Sequence, residues 1–375
     1  MLNSSKLLIP LHHEFLEQRQ FNSLDGVRCF CILTVLWHHA NPPNFPPILT
    51  RGFLGVDMFF VLSGFLIVTL LLREQSTVGK ISLRKFYARR ALRIFPIYYG
   101  MLLFLTLFYG VLKSQGDSAA SFASVLPFYL TYTSNWSLVQ AAGLGITWSL
   151  ATEEQFYLFW PAIEKLNHKR VVYVVLGLII LVNQLTNFGL LKGVFSTIYR
   201  SPTVELEILS TTFTPICLGI GLAHLLHRSQ SFNLVIRSLG HRRSPIILLL
   251  VLLVVINFAP IDISGFPRLL IQLLMALFLG SLVVREDHSL QPLLRFYPIV
   301  RIGKISYGMY MYHLWAFLVA TGMTRFLYEH WGIALSLPLF IPGTLTTLLI
   351  AEMSYRFYET PFLRLKTGLG WQPKK

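Results

Sequence analysis

The chain has 375 residues, of which 54% are hydrophobic and only 13% charged, and its mean hydropathy is +0.58. A soluble domain carries about 25% charged residues, so this composition argues against a water-soluble enzyme and for an integral membrane protein. The net charge of +15 does not point to nucleic acid, because the basic residues sit at the ends of apolar runs, where topology places them.

The N-terminal arm, residues 1–22, is mixed in polarity and lacks a small-residue cleavage site, so no cleaved signal peptide is expected. Ten apolar segments follow, at about 28–43, 52–72, 94–112, 146–163, 171–191, 204–226, 245–260, 267–284, 302–322 and 333–355. They predict an all-α, polytopic protein of about ten transmembrane helices, with residues 1–375 as a single membrane domain. The stretch 119–135 is apolar but carries Pro127, which suits a re-entrant or interfacial segment. If the N-terminus is cytoplasmic, 26 of the 32 Lys and Arg residues fall in inside segments, including seven in loop 73–93 and five in the tail 356–375. That asymmetry predicts an even number of spans with both termini inside. Cys29, Cys31 and Cys217 lie in apolar segments without metal-ligand spacing, and no metal is expected.

Within these segments a few polar groups stand out. Arg28 and His39 bracket the first, with ten residues between them. Eleven helical steps of ~100° end roughly 20° past three full turns and ~16 Å along the axis. Both side chains then share one face, the arginine near a membrane surface and the histidine deeper. An ionisable group at that depth needs a purpose or a polar partner. Asp57 opens the second segment and calls for a partner, with Arg51 and His39 as candidates. A carboxylate beside the imidazole would set its tautomer. Ser63 and Gly64 are small, which serves close helix packing or the close approach of a ligand.

Loop 73–93 ends in Arg89-Arg90-Ala-Leu-Arg93. On a helix these arginines form one cationic face, suited to bidentate phosphate binding as well as to anionic headgroups. The fourth segment holds Glu153, Glu154, Gln155 and Tyr157 in an aromatic span. A glutamate there serves as base or hydroxyl orienter, or as the buried partner of a basic residue. His313 follows Ser306-Tyr307-Gly308-Met-Tyr310-Met-Tyr312 in the ninth segment, and Glu359 and Pro361 follow the last. Tyr132, Trp136 and Trp148 offer ring faces for sugars, and equally serve as interface anchors.

Taken in order, these stretches resemble the acyltransferase-3 family of integral membrane acyltransferases. The matching stretches are Ser23-Leu-Asp25-Gly26-Val-Arg28 to His39-Ala40, Gly55-Val-Asp57 to Phe65-Leu66, and Phe86 to Pro96. Thr147-Trp148-Ser149 to Tyr157, Ile305-Ser306-Tyr307 to His313, and Tyr355 to Phe362 complete the set. The resemblance implies a stand-alone, multi-pass enzyme of the bacterial inner membrane, without the esterase-like domain that some members carry. It implies transfer of an acyl group, acetyl above all, from acyl-CoA to hydroxyls of an extracytoplasmic glycan or lipid-linked saccharide. His39 takes the catalytic position, and Arg90 and Arg93 handle acyl-CoA with Arg89 nearby. The arginine–histidine spacing selects His39 over His38. Arg28, Asp57 and Glu154 are expected to support His39, and Ser63, Glu153, Tyr157 and His313 are further candidates. No tightly bound cofactor is expected; acetyl-CoA is the donor, the bilayer and a saccharide acceptor are the partners, and nucleic acid is not. The rival readings are a proton-coupled transporter or flippase, which also buries Glu, His and Asp, and a non-enzymatic partner of glycan assembly. No internal repeat supports the transporter.

Overall fold

The computed structural model describes residues 4–18, 20–40, 45–112, 117–137, 140–141, 143–166, 168–191, 199–200, 205–206, 212–333 and 338–367. Among them the protein is helical, apart from a minimal ladder pairing Tyr199–Arg200 with Glu205–Leu206. The principal helices are α1 (Ser4–Glu17), α2 (Leu24–His39), α3 (Leu54–Val78), α4 (Leu83–Leu107) and α5 (Asp117–Leu130). Then come α6 (Trp148–Lys165), α7 (Lys169–Asn187), α8 (Thr214–His227), α9 (Ser229–Leu239) and α10 (Ser244–Phe258). The last are α11 (Phe266–Val283), α12 (Tyr297–Lys304), α13 (Ser306–Trp331), α14 (Phe340–Met353) and α15 (Thr360–Thr367).

Each of the ten predicted segments contains a helix, although residues 41–43, 204, 207–211 and 334–337, in three of them, lie outside the described set and the sixth is helical only from Thr214. Among the described residues four helices, α3, Leu83–Gly110, α7 and α11, are long and apolar enough to cross a membrane, or five if α9 and α10, bent by 73°, count as one. The protein is thus an all-helical membrane protein. The other predicted segments hold helices that are shorter or less apolar. Loop 73–93 is corrected: the turn between α3 and α4 is only Gly79 to Ser82, Arg73 belongs to α3, and Arg84, Arg89, Arg90 and Arg93 belong to α4. Gly79 ends α3 in the left-handed region at φ 78°, and the Ser82 side chain caps α4 by accepting from Lys85 N at 3.4 Å. Arginine is a good helix former, so the cap sets the start and hydropathy does not. The stretch 119–135 forms α5 with Pro127 inside it.

The chain divides into two compact units: Met1–Lys80, His168–Phe188 and Phe213–Ser306 in one, and Ile81–Asn167, Gly189–Thr212 and Tyr307–Lys375 in the other. In the first, α3 is buried on most of its circumference and packs directly on α8. Gly64 lies on the Ile216 carbonyl and Gly219 on the Val61 carbonyl, so a Cβ at either would collide with backbone. Small residues are what allow such backbone approach. Arg51 donates to the carbonyls of Ile256, Ala259 and Pro260, closing the end of α10. Arg73, also buried, donates to the Phe15 and Gln18 carbonyls and stacks on Phe15 and Phe21, which docks α1. In the second unit, α4 runs through Pro96. Tyr307 donates to the Ile94 carbonyl and Tyr358 to the Pro96 carbonyl, both at 2.9 Å, on the stretch of α4 around the proline. Past α14 the chain makes a π-helical turn, Ser354–Glu359, before α15.

Candidate functional site

The predicted residues fall into two sets, one in each unit. In the first, Arg28 and His39 lie on α2. Arg28 pairs with Asp25 one turn earlier at 3.4 Å. Asp25 stands in the sequence within the Ser23–Arg28 stretch of the family resemblance, with no role of its own. His39 is the last residue of α2, and its Nδ1 lies 2.9 Å from the Val35 carbonyl. A carbonyl accepts only, so Nδ1 carries the proton and the neutral ring presents its lone pair on Nε2. His38 turns to the Thr50 carbonyl at 3.0 Å, and the two rings meet edge to face at 5.3 Å. The backbone therefore sets the tautomer expected of Asp57.

Asp57 is buried, and its partner is neither Arg51 nor His39. Arg268 donates to both carboxylate oxygens, at 3.1 and 3.2 Å, and Gln272 Nε2 adds a third bond at 3.1 Å. These two residues lie one turn apart at the start of α11 and escaped the sequence reading. Their only local signal was two polar side chains at i, i+4 in an apolar segment. The neighbouring small pair divides, with Gly64 in the α3–α8 contact and Ser63 half-buried beside it.

The second set centres on Arg90. Its guanidinium meets Glu154 at 3.2 Å, and its carbon sits 3.9 Å from the centroid of the buried Tyr157 ring. Such a stack on an aromatic face is favourable for arginine. Glu153 acts electrostatically on the same arginine, and Arg93 interacts with Tyr157 and with Glu359. Arg89 is half-buried on the same helical turn. Glu154, expected to serve the histidine, is thus held by an arginine of its own unit. His313 is fully buried, with Nδ1 at 2.8 Å from the Tyr310 carbonyl. Tyr310 in turn bonds the Ser149 hydroxyl and the Ile146 carbonyl.

Around Glu154 the structure gathers tyrosines from three elements: Tyr99, Tyr132 and Tyr307 all lie within electrostatic range of its carboxylate. Tyr132 is buried against Tyr98, ring centroids 4.3 Å apart and planes 21° apart, and is not displayed to a sugar. Among the described residues, no group of three or more His, Cys, Asp or Glu stands where it could hold a metal ion.

Comparison with known proteins places these sets in a family. The model described as "Acyltransferase domain" matches residues 21–354. A Staphylococcus aureus (strain COL) relative is 30% identical over 389 residues, covering 96% of this chain and 60% of its own length. Peptidoglycan O-acetyltransferase OatA of Listeria monocytogenes is 28% identical, over 90% of this chain and 55% of its own length. O-acetyltransferase OatA of S. aureus (strain NCTC 8325) is also 28% identical, over 95% of this chain and 60% of its own. The chain therefore spans about 60% of the length of the curated relatives it matches. No solved structure matches it. With a family model covering most of the chain and both arginine sets inside the matched range, the chain belongs to the acyltransferase-3 family.

Proposed function

We propose that this protein is a membrane O-acyltransferase. It transfers an acetyl group from cytoplasmic acyl-CoA to a hydroxyl of an extracytoplasmic glycan or lipid-linked saccharide. Residues 1–375 act as one membrane acyltransferase domain of the bacterial inner membrane, with ten spans and both termini cytoplasmic. The family match over residues 21–354 carries the reaction class, and the relatives named as O-acetyltransferases support an oxygen acceptor. One of them is named for peptidoglycan, which makes a cell-wall glycan the first acceptor to try.

His39 is the proposed catalytic residue. With Nδ1–H donating to the Val35 carbonyl, Nε2 takes the proton of the acceptor hydroxyl. The alcohol oxygen attacks the thioester carbonyl, a C–O bond forms, the C–S bond breaks, and the imidazolium returns its proton to the departing thiolate. Arg28 holds the start of α2 through Asp25, and Asp57 braces α3 against α11. Arg90, Arg93 and Arg89 take the phosphates of the donor, with Arg90 also paired to Glu154. Ser63, Glu153, Tyr157 and His313 complete the surroundings of the two sets.

The test uses inverted membrane vesicles loaded inside with muropeptide or polysaccharide acceptors, with radiolabelled acetyl-CoA supplied outside. The parent is expected to transfer label, and His39→Ala to lose at least ~100-fold at equal membrane level, the size of a general-base contribution. A transporter or scaffold predicts equal behaviour of parent and variant, and that result overturns the reading.

A further inference from the structure

The far end of α13 belongs to neither set of residues described above. Within its unit α13 runs beside α4 in the same direction. Tyr307 donates to the Ile94 carbonyl, and further along the Trp315 ring meets Phe104 and Phe108 edge to face at 6.1 and 6.0 Å. Trp315 is thus level with the last turn of α4, whose membrane-crossing stretch ends at Gly110. From Trp315, α13 continues to its last residue, Trp331, a rise of about 24 Å at ~1.5 Å per residue. Its neighbour α14 does not accompany it, for Phe317 lies on Gly343 and α14 starts only one turn further out, at Phe340. The end of α13 therefore stands roughly 15 Å past the span, beyond a headgroup layer of about 5–7 Å. Arg90 and Arg93 lie near the other end of α4, so the projecting end is on the opposite side of the bilayer from them.

This end carries rings and polar groups together. From Arg325 to Trp331 every residue but Leu327 is exposed, Phe326 at 50% and Trp331 at 65%. Phe326 and His330 stack one turn apart, centroids 4.1 Å and planes 24° apart, and Trp331 meets Phe326 edge to face at 6.0 Å. His330 Nδ1 lies 3.2 Å from the Phe326 carbonyl, which places the proton there and leaves Nε2 as an acceptor. Alongside, Arg325 Nε meets Glu329 at 2.6 Å with both side chains in solvent, a pair that adds little to stability. Aromatic belts anchor proteins at headgroup level, and Trp331 stands above that level. The three rings present roughly 300 Å² of accessible surface, well short of the ~800 Å² that each partner gives to a standard protein interface. One or two sugar rings would cover them.

Resting on the acyltransferase reading above, we propose that Phe326, His330 and Trp331, with Arg325 and Glu329 at their edge, bind a saccharide unit of the acceptor glycan. A pyranose has an apolar C–H face, which loses water on stacking against an aromatic ring. Its hydroxyls and acetamides lie around the rim and need both acceptors and donors there. Glu329 and His330 Nε2 accept, and Arg325 donates. The Arg325–Glu329 pair is neutral overall, which suits an uncharged sugar better than an anionic headgroup. The position also fits, since an extracytoplasmic glycan reaches the protein from the side opposite the donor's arginines.

The test uses detergent-solubilised protein and a tetrasaccharide of alternating N-acetylglucosamine and N-acetylmuramic acid. Equilibrium dialysis without donor reads binding, and transfer from acetyl-CoA reads the KM of each substrate. Trp331→Ala removes the indole, Glu329→Gln removes the carboxylate, and Tyr328→Ala, an exposed ring outside the cluster, is the control. Trp331→Ala is expected to weaken tetrasaccharide binding and raise the acceptor KM by about tenfold, as loss of a half-covered indole should. The KM for acetyl-CoA should stay unchanged. Glu329→Gln should cost about threefold, and Tyr328→Ala nothing. All variants should melt with the parent, because the side chains are in solvent. Equal binding by parent and Trp331→Ala overturns the proposal and leaves the rings to lipid or to a protein partner. A loss in Tyr328→Ala as large as that in Trp331→Ala also overturns it, because the effect then belongs to the helix end and not to these rings. So does a parent that binds no tetrasaccharide. A parent that binds it through Trp331 but transfers no acetyl keeps the saccharide site and fails the acyltransferase reading, so the two failures are told apart.

Discussion

Replacing Arg268 by alanine isolates the role of Asp57. The Asp57 side chain is 2% exposed and that of Arg268 26% exposed, and the guanidinium meets both carboxylate oxygens. Removing one partner of a buried pair costs ~3–5 kcal/mol, because the other charge is left uncompensated. The partial exposure of Arg268 and the remaining bond from Gln272 put the expected loss near the lower end, about 3 kcal/mol. At ~2–4 °C per kcal/mol for a unit of this size, the melting temperature should fall by about 6–12 °C. The assay is thermal unfolding of purified parent and variant in one detergent. The double variant Asp57→Leu/Arg268→Leu removes both charges and should recover much of the loss. Its coupling energy should reach at least ~1 kcal/mol, as for residues in direct contact. Refutation comes from an Arg268→Ala protein that melts with the parent, or from a double variant that merely sums the singles. Either result frees Asp57 for a role other than joining α3 to α11.

Two further outcomes test the fold. Gly64→Ala drives a methyl group into the Ile216 carbonyl at the α3–α8 contact and should cost ~1–3 kcal/mol by overpacking; melting at the parent temperature would show that the contact is loose. His288, in the loop after α11, is buried with Nε2 at 3.1 Å from the Ser23 hydroxyl. Burial pushes its pKa down to about 4, a shift that neighbouring Asp287 only partly opposes. An unfolded chain binds this proton below about 6.5 and the folded one only near 4. Stability contributed by the neutral ring is therefore full above pH 6.5 and declines as pH falls from there towards 4. His288→Gln should flatten that part of the melting-temperature profile, and an unchanged slope would remove His288 from the account.

The sequence by itself determined the material of this protein. Apolar runs of helical length require the backbone to satisfy itself within lipid, so the helices stand where hydropathy put them. The arginine–histidine spacing on α2 and the arginine face on α4 were legible because helical period is a local property. Even so, hydropathy missed the first turns of α4, because a serine cap and good helix formers extend a helix past its apolar part. Partnership was decided by tertiary structure alone. Asp57 and Arg268 are 211 positions apart, and Arg90 and Glu154 are 64 apart. No local pattern distinguishes Arg268 from Arg51 as the partner of Asp57, or Arg90 from His39 as that of Glu154. Charges in a low-dielectric interior pair with whatever packing brings within ~4 Å, and packing is a property of the whole unit. The buried hydroxyl of Tyr132 is the extreme case. Its sequence context is that of an interface tyrosine, and only the stack on Tyr98 and the clamp from Gln155 turn it into an unsatisfied donor.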